Sequence, residues 1–201
     1  MELNGITLHG WCSPDKARYL GDWIAKNQPR VIVEIGVYGG ACLLPMAYEA
    51  MKYHPLTPTK VVGIDPWDVS ACLEGMVEEH NRDWWERHSH LGPVYASCKA
   101  AIASLGLTNI ELWVGTSDQY AGSFEPQQIN LISIDGNHGF PVERDVRNYL
   151  RLLAPGALIA MDDTDWVEGG VKHVRRAIDF LIESGCTELA VVDGCTMLTS
   201  P

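Results

Sequence analysis

The sequence predicts an α/β protein with a Rossmann-like, doubly wound and mostly parallel sheet that ends in an antiparallel hairpin strand. Short apolar runs rich in β-branched residues alternate with stretches of helical periodicity from residue 15 to the end. Several of these runs end abruptly in aspartate. The last two are separated by Asp193 and Gly194, a dipeptide typical of a tight hairpin turn. These patterns favour repeated strand–helix units closed by one hairpin.

Five of the runs are predicted to be strands, and the first, RVIVEIG, is short, continuous and β-branched, which is typical of a parallel strand buried on both faces. They span residues 30–36, 60–65, 109–115, 130–135 and 157–162. Helices are predicted over residues 15–27, 40–53, 81–105, 141–154 and 171–182. Pro155 and Gly156 are expected to end the fourth of these helices, and residues 188–199 form the predicted hairpin.

The composition predicts a single domain over residues 1–201, in which residues 66–95 form a candidate lid. The formal net charge of −11 disfavours a nucleic acid or an anionic membrane as partner. The sequence has neither a signal-peptide pattern nor an apolar run long enough to span a membrane, so a cytoplasmic location is expected. The six cysteines include no C-x-x-C pair and fit neither a zinc site nor a disulfide framework.

The stretch EIGVYGG, from Glu34 to Gly40, directly follows the first strand. Gly36 permits a sharp turn, and Gly39 with Gly40 would let a ligand approach the N-terminus of the next helix. The spacing is not that of a dinucleotide site, because Tyr38 stands where G-x-G-x-x-G requires glycine. Glu34 would repel a phosphate, so the stretch favours a cationic ligand. The alternative is a glycine-rich turn that binds nothing.

Asp65 ends the second strand, in the stretch GIDPWD. An acidic residue at this place in a nucleoside-binding sheet accepts hydrogen bonds from the ribose hydroxyls. Asp-Pro is also ordinary turn chemistry. The ribose assignment therefore depends on the combination of Asp65 with Glu34 and the glycines.

Two further strands end in carboxylates, Asp135 in LISIDGNHGF and Asp162 with Asp163 in GALIAMDDTDW. If these strands are neighbours, about 4.8 Å apart, the three side chains lie close together and need a cation or protons to offset their repulsion. Ligation by oxygen alone is typical of a hard divalent ion such as Mg²⁺. His138 follows Asp135 closely enough to serve as a general base at the same place. Helix capping and a solvated loop are the structural alternatives.

The stretches VEIGVYGG, GIDPWD and LISIDGNHGFPVERDVRNYLRLLAPGALIAMDD together resemble the class I S-adenosylmethionine-dependent methyltransferases, over roughly residues 15–195. They are most similar to the metal-dependent O-methyltransferases that act on sugars of macrolide and aminocoumarin antibiotics, and to the cephalosporin-hydroxylase-like group. The resemblance implies methyl transfer from S-adenosyl-L-methionine to a hydroxyl of a small molecule, such as a sugar, polyol or natural product. It also implies Mg²⁺ or another hard divalent cation.

The resemblance implies three groups of site residues, carried over by position. The cofactor-binding residues are Glu34 and Gly36 at the methionine end, Asp65 at the ribose, and Gly115, Thr116 and Ser117 beside the adenine. The metal ligands are Asp135, Asp162 and Asp163, and the catalytic residues are His138, as the base, and Asp135.

The chain departs from these relatives in the loop after the fourth strand. Asn137, Gly139 and Phe140 stand where many relatives carry Asp, Ser and Tyr, which leaves the acceptor open. Residues 66–95 are rich in aromatic side chains and are the candidate acceptor insertion. A homo-oligomer, a metal-independent methyltransferase of the same fold, and a non-catalytic nucleoside- or metal-binding domain also stay open.

Overall fold

The computed structural model describes residues 1–53 and 58–201, and its centre is a seven-stranded sheet. A small hairpin precedes the sheet and consists of β1 (Glu2–Leu3) and β2 (Ile6–Thr7). The strands of the sheet are β3 (Val31–Ile35), β4 (Lys60–Asp65), β5 (Ile110–Val114), β6 (Ile129–Ile134), β7 (Leu153–Met161), β8 (Thr187–Val192) and β9 (Cys195–Thr199). Their spatial order is β5-β4-β3-β6-β7-β9-β8, parallel from β5 to β7 and antiparallel over the last two pairs. The Rossmann-like, doubly wound prediction is confirmed.

Helices cover both faces of this sheet. They are α1 (Pro14–Asn27), α2 (Leu43–Ala50), α3 (Val69–Cys72), α4 (Glu79–Arg87), α5 (Leu91–Ser104), α6 (Ser117–Tyr120), α7 (Phe140–Tyr149) and α8 (His173–Glu183). Side chains of α1, α2 and α5 pack with Ile32 on one face, and side chains of α7 and α8 pack with Val33 on the other. Successive residues of β3 therefore enter two cores, which explains the continuous run of this strand. Among the described residues, none of the helices has the length and apolar character needed to cross a membrane.

Several boundaries differ from the sequence prediction. The helix that begins near Pro141 ends at Tyr149, and a 3₁₀ turn over Leu150–Leu152 follows it. Pro155 and Gly156 do not end that helix, because they lie within β7. The pairing of β7 with β6 is irregular there, so the strand tolerates a proline that lacks an N–H donor. Both strands of the terminal hairpin join the sheet rather than one.

Other differences concern short or broken elements. The predicted helix over 40–53 is confined to α2, because residues 36–42 form the turn after β3. The helical region over 81–105 divides into α4 and α5, with His90 in a left-handed conformation at the break. The short elements β1, β2, α3 and α6 have too few residues to show a periodicity in the sequence.

The turn at Gly36 brings the ends of the two central strands together. Gly36 has a φ of +86°, and a Cβ atom placed there would lie 2.2 Å from the carbonyl oxygen of Asp135. The N–H of Asp135 donates to the carbonyl of Ile35, and the N–H of Gly36 donates to Ile64. Only glycine allows this approach, which places the first turn of the sheet directly against the Asp135 loop.

We predict that Gly36→Ala costs far more stability than Gly156→Ala. Both glycines have positive φ, so each substitution carries about 1–2 kcal/mol of backbone strain. A Cβ at position 156 meets no heavy atom within 4 Å, whereas at position 36 it overlaps the backbone of Asp135. The free energy of unfolding, measured in urea, is expected to fall by about 1–2 kcal/mol for Gly156→Ala and by about 3–5 kcal/mol for Gly36→Ala. Equal losses would contradict the packing of this turn.

Candidate functional site

A cavity of about 770 Å³ opens at the carboxyl ends of the parallel strands. The sequence-predicted residues that line it are Glu34, Gly36, Asp65, Gly115, Thr116, Ser117, Asp135, His138, Asp162 and Asp163. Gly39 does not line it: a Cβ at that position would lie 2.5 Å from the backbone and side chain of His9. The absence of a side chain at Gly39 therefore allows the N-terminal segment to pack closely here, where it closes one side of the cavity.

Glu34 contributes a buried carboxylate to the cavity wall. Its residue is only 1% exposed, and neither carboxylate oxygen has a hydrogen-bond partner among the described residues. Burial raises the pKa of Glu34 well above its usual value, with a smaller opposing effect of Lys16. A buried acceptor without a donor is costly, so this carboxylate is suited to a donor or a cation that a ligand brings.

Asp65 holds the turn that follows β3. Its Oδ2 accepts hydrogen bonds from the N–H groups of Val37 (2.9 Å) and Tyr38 (2.8 Å), and its Oδ1 accepts from Trp67 (2.7 Å). Burial raises the pKa of Asp65, and these three backbone donors oppose the shift. The carboxylate lines the cavity, but it already serves to shape the Gly36 turn.

The segment from Gly115 to Ser117 forms the wall next to β5. Thr116 caps α6, and the hydroxyl of Ser117 donates to Asp145 from α7. Asp145 also lines the cavity, and burial raises its pKa to about 6. Asp145 was not predicted as a site residue, because a polar residue inside an amphipathic helix is usually solvated.

The carboxylates of Asp135, Asp162 and Asp163, at the carboxyl edge of the sheet, are here called the rim carboxylates. The Lys16 ammonium group lies between the first two of them. Its Nζ donates to Asp162 Oδ2 at 2.6 Å and to Asp135 Oδ2 at 3.1 Å, and the lysine side chain is 3% exposed. β6 and β7 are neighbours, as the sequence analysis supposed, so their terminal aspartates meet. The cation that the sequence analysis sought at this place is supplied, in part, by the chain itself.

This arrangement separates the protonation behaviour of the two carboxyl groups. Burial alone would raise the pKa of Asp162, but the ammonium of Lys16 lowers it below the usual value. Burial raises the pKa of Asp135 well above the usual value, with Lys16 opposing the shift. Burial alone would lower the pKa of Lys16, yet its anionic neighbours raise it well above the usual value. Lys16 therefore stays charged.

Lys16 was missed because its environment depends on tertiary packing. A signal was present: Lys16, Leu20 and Ile24 recur every four residues on the buried face of α1. A lysine at the start of such a stripe is either snorkelling or paired. The Ser13 cap sets the beginning of the helix, since its Oγ accepts from the Lys16 N–H at 3.0 Å and donates to Asp193 in the hairpin turn.

His138 and Asp163 complete the rim beside Asp135. His138 Nε2 lies 3.8 Å from Asp135 Oδ1 and 3.5 Å from Asp163 Oδ2, and it has no hydrogen-bond partner among the described residues. Burial lowers the pKa of His138, against the effect of Asp163 and Asp162, which favours the neutral imidazole. Donor atoms of Asp135, His138 and Asp163 all lie within 4.8 Å of one another, so these three side chains are close enough to share a cation.

We predict that Asp145 makes stability fall as pH rises. Its pKa in the folded chain is about 6, above the ordinary 3.8, so its contribution is complete below 3.8 and is lost as pH rises through 6. Asp145→Asn keeps a polar partner for Ser117 but has no charge to bury. In urea titrations the variant should gain about 2 kcal/mol relative to the parent chain between pH 4.5 and 7.5. A difference that does not change with pH would show that the buried carboxyl is already ionised at pH 4.5.

Known proteins share both the sequence pattern and the fold. A family described as a methyltransferase domain matches residues 33–164, more than half of the chain, from within β3 to just beyond β7, and includes the rim carboxylates. No curated protein matches the sequence.

Solved structures of similar fold include cofactor-bound Rv0187 from MTB, which is 17% identical with a TM-score of 0.68 over 96% of this chain and 83% of that one. The O-methyltransferase TomG from Streptomyces achromogenes, in complex with SAM, is 20% identical, with a TM-score of 0.65 over 94% and 79%. An O-methyltransferase from Bacillus cereus, in complex with SAH, is 18% identical, with a TM-score of 0.66 over 95% and 83%. At these identities the likeness establishes the common fold. The family match establishes membership: the chain belongs to the methyltransferase-domain family and is a methyltransferase.

Proposed function

We propose that the chain is an S-adenosyl-L-methionine-dependent O-methyltransferase that acts on a hydroxyl of a small molecule and uses Mg²⁺ or another hard divalent cation. The observation that carries this proposal is the buried, unpartnered carboxylate of Glu34 in the wall of the main cavity. S-adenosylmethionine supplies a methyl group on a cationic sulfonium together with an amino group. Both positive groups suit a carboxylate that has no donor of its own.

The walls of the cavity support the same cofactor. The Gly36 turn presents the backbone after β3, and the Gly115–Ser117 segment lines the side assigned to the adenine. TomG and the Bacillus cereus enzyme, which have this fold, were solved with SAM and SAH. Backbone donors already bind both oxygens of Asp65, so a ribose hydroxyl would share Oδ1 with the N–H of Trp67.

His138 is the proposed general base. A neutral alcohol is a poor nucleophile, so the acceptor hydroxyl must lose its proton as it attacks. His138 Nε2 is buried, free of hydrogen bonds among the described residues, and held neutral by burial, so it can take that proton. Positioning of the hydroxyl in line with the methyl group supplies much of the remaining acceleration.

The proposed cation would be held by Asp135, Asp162 and Asp163. A divalent ion there would orient the acceptor oxygens and favour the alkoxide. The donor chemistry fits, since carboxylate oxygens are the ligands that Mg²⁺ prefers, and Asp135 and Asp163 already lie within reach of one another. Asp162 points its Oδ2 to Lys16, so ligation by Asp162 requires it to exchange one partner for another.

The charges of the cavity support an acceptor without phosphate groups. Among the described residues that line it, eight carry carboxyl groups and two carry cationic groups. The two cations are Lys16 and Arg144, and both already form ion pairs. A multiply anionic acceptor would find no unpaired cation here and would be repelled. Neutral or cationic hydroxylated molecules therefore suit this site best.

A metal-independent methyltransferase is the second candidate, and Lys16 is the observation that favours it. The Lys16 ammonium already neutralises Asp135 and Asp162 at hydrogen-bond distance. In this alternative Lys16 takes the electrostatic part of the cation, and His138 takes the proton as before. The two candidates differ in whether a divalent ion binds at the rim.

We predict that Glu34→Gln weakens S-adenosylmethionine binding by about 10- to 150-fold, because an amide cannot replace a carboxylate opposite a cation. The same substitution removes a buried charge, so the free chain should become more stable to heat. Isothermal titration calorimetry and thermal unfolding measure the two effects. Glu188→Gln, at an exposed position of the edge strand β8, is the control and should change neither. Unchanged affinity in Glu34→Gln would contradict the cofactor assignment.

We predict that wild-type chain binds Mg²⁺ in calorimetric titration and that Asp163→Asn loses this binding while keeping its affinity for S-adenosylmethionine. Lys16→Met should bind Mg²⁺ at least tenfold more tightly, because it frees both carboxylates that the lysine engages. Arg18→Met, which removes an exposed cation of the same helix, is the control.

The magnesium titration also separates the two candidates. Binding that appears only in Lys16→Met would mean that the lysine takes the place of the metal, and would favour the metal-independent enzyme. No binding in either protein would exclude the metal site altogether.

A further inference from the structure

The side chain of Asn137 joins the loop after β6 to the C-terminal end of α3. Its Nδ2 donates to the carbonyl oxygens of Glu74 (2.8 Å) and Cys72 (3.0 Å), with Ala71 at 3.4 Å. Its Oδ1 accepts from the N–H of Gly139 at 2.8 Å. Carbonyl groups at the end of a helix lack intrahelical donors, and the amide supplies them.

The side chain of Glu168 accepts hydrogen bonds from residues at the beginning of α4. Its Oε1 accepts from the N–H groups of Val77 and Glu78, both at 2.6 Å, and its Oε2 accepts from Asn81 Nδ2 at 3.1 Å. Glu168 is 3% exposed, although it lies in the loop between β7 and α8. Val77 and Glu78 directly precede α4, and the N-cap side chain of this helix makes no capping hydrogen bond, so Glu168 fixes the chain where it enters the helix.

Both loops also carry the proposed catalytic rim. Asn137 is the neighbour of His138 in sequence. Glu168 accepts from the indole of Trp166 at 3.3 Å, and the Trp166 ring lies 5.4 Å from that of His138, centroid to centroid. A third contact runs from Arg144 of α7 to both carboxylate oxygens of Glu74, at 2.8 and 3.1 Å.

The segment held in this way forms one wall of the cavity. Residues 69–87, here called the roof segment, contribute the lining side chains Ala71, Cys72, Glu74, Met76, Asn81, Trp84 and Trp85. Asn137, His138, Asp163 and Trp166 line the same cavity from the two loops. The space between these two sets is bounded by the rim that bears the proposed base.

We propose that Asn137 and Glu168 are positioning residues that fix the roof segment over the acceptor end of the cavity. Asn137 donates to carbonyl oxygens at and just beyond the C-terminal end of α3, and Glu168 accepts from the N–H groups of Val77 and Glu78 just before α4. The contacts of Asn137 and Glu168 with the roof segment are here called the clamp. The acceptor assignment rests on the proposed function, whereas the clamp itself rests on the hydrogen bonds alone. This gives a reason for the departure at position 137: an aspartate cannot donate to three carbonyl oxygens and would be repelled by them.

Isosteric substitutions isolate the two caps. Asn137→Asp keeps the shape but places a negative oxygen against the carbonyls of α3, so it should act more strongly than Asn137→Ala. Glu168→Gln keeps an oxygen for Val77 and Glu78 but turns an NH₂ group toward the Asn81 and Trp166 donors. The controls are Asn27→Asp, which loses a similar contact to the Trp23 carbonyl at an exposed helix end, and the exposed Glu125→Gln.

Hydrogen–deuterium exchange of the full chain reads the clamp without any acceptor. We expect exchange in peptides of the roof segment to become at least tenfold faster in Asn137→Asp and Glu168→Gln, and less so in Asn137→Ala. Strands β3, β6 and β7 and both controls should be unchanged. Unchanged exchange of the roof segment, or an equal rise throughout the chain, would overturn the proposal.

Binding and kinetic measurements test whether Asn137 and Glu168 position the roof segment for the acceptor. Affinity for S-adenosylmethionine should stay within twofold in both variants, while the KM for a neutral vicinal diol that the wild-type chain methylates rises at least tenfold and kcat changes less than threefold. A fall in kcat with unchanged KM would overturn the positioning role. Failure of the wild-type chain to bind S-adenosylmethionine would reject the proposed function and leave the exchange result to judge the clamp.

Discussion

The ion pair of Lys16 with Asp135 and Asp162 is the interaction on which the carboxyl end of this sheet depends. A parallel sheet brings the ends of its strands to one edge, and here that edge carries carboxylates on β3, β4, β6 and β7. Burial of like charges a few ångströms apart costs several kcal/mol unless a cation compensates them. The N-terminal helix places its ammonium group between the two central carboxylates, and the rim can close around it.

The other ionisable groups of the cavity differ in whether the chain itself supplies them with a partner. Asp65 is satisfied by backbone donors, and Asp145 by the Ser117 hydroxyl and a raised pKa. The two carboxylate oxygens of Glu34 and Nε2 of His138 have no hydrogen-bond partner among the described residues. Two groups without partners thus face one cavity: a carboxylate that can bind a cation and an imidazole nitrogen that can accept a proton. The proposed methyl transfer from a sulfonium to a hydroxyl would use both.

Sequence patterns were sufficient for the sheet and for the residues at its carboxyl edge, because strand ends follow from local apolar runs. The adjacency of β6 and β7, on which the meeting of Asp135 and Asp162 depended, is also a regular property of the fold. The direction of each aspartate was not predictable. Asp162 continues the strand toward Lys16, whereas Asp163 has a φ of +50° and turns toward His138. Only the packing of α1 across the edge distinguishes these two environments.

The clamp was hidden from sequence for a related reason: its partners lie more than sixty positions apart for Asn137 and about ninety for Glu168. A short helix such as α3 is marginal by itself, so the donors that stabilise its end must come from elsewhere in the chain. Here they come from the loop that contains the proposed base. A displaced roof segment would therefore alter the proposed acceptor wall and release the Asn137 amide beside His138, whereas Glu34 lies on β3 and makes none of the clamp contacts. In the proposed function, the carboxylate that would bind the cofactor and the two side chains that would hold the acceptor wall therefore lie on separate elements.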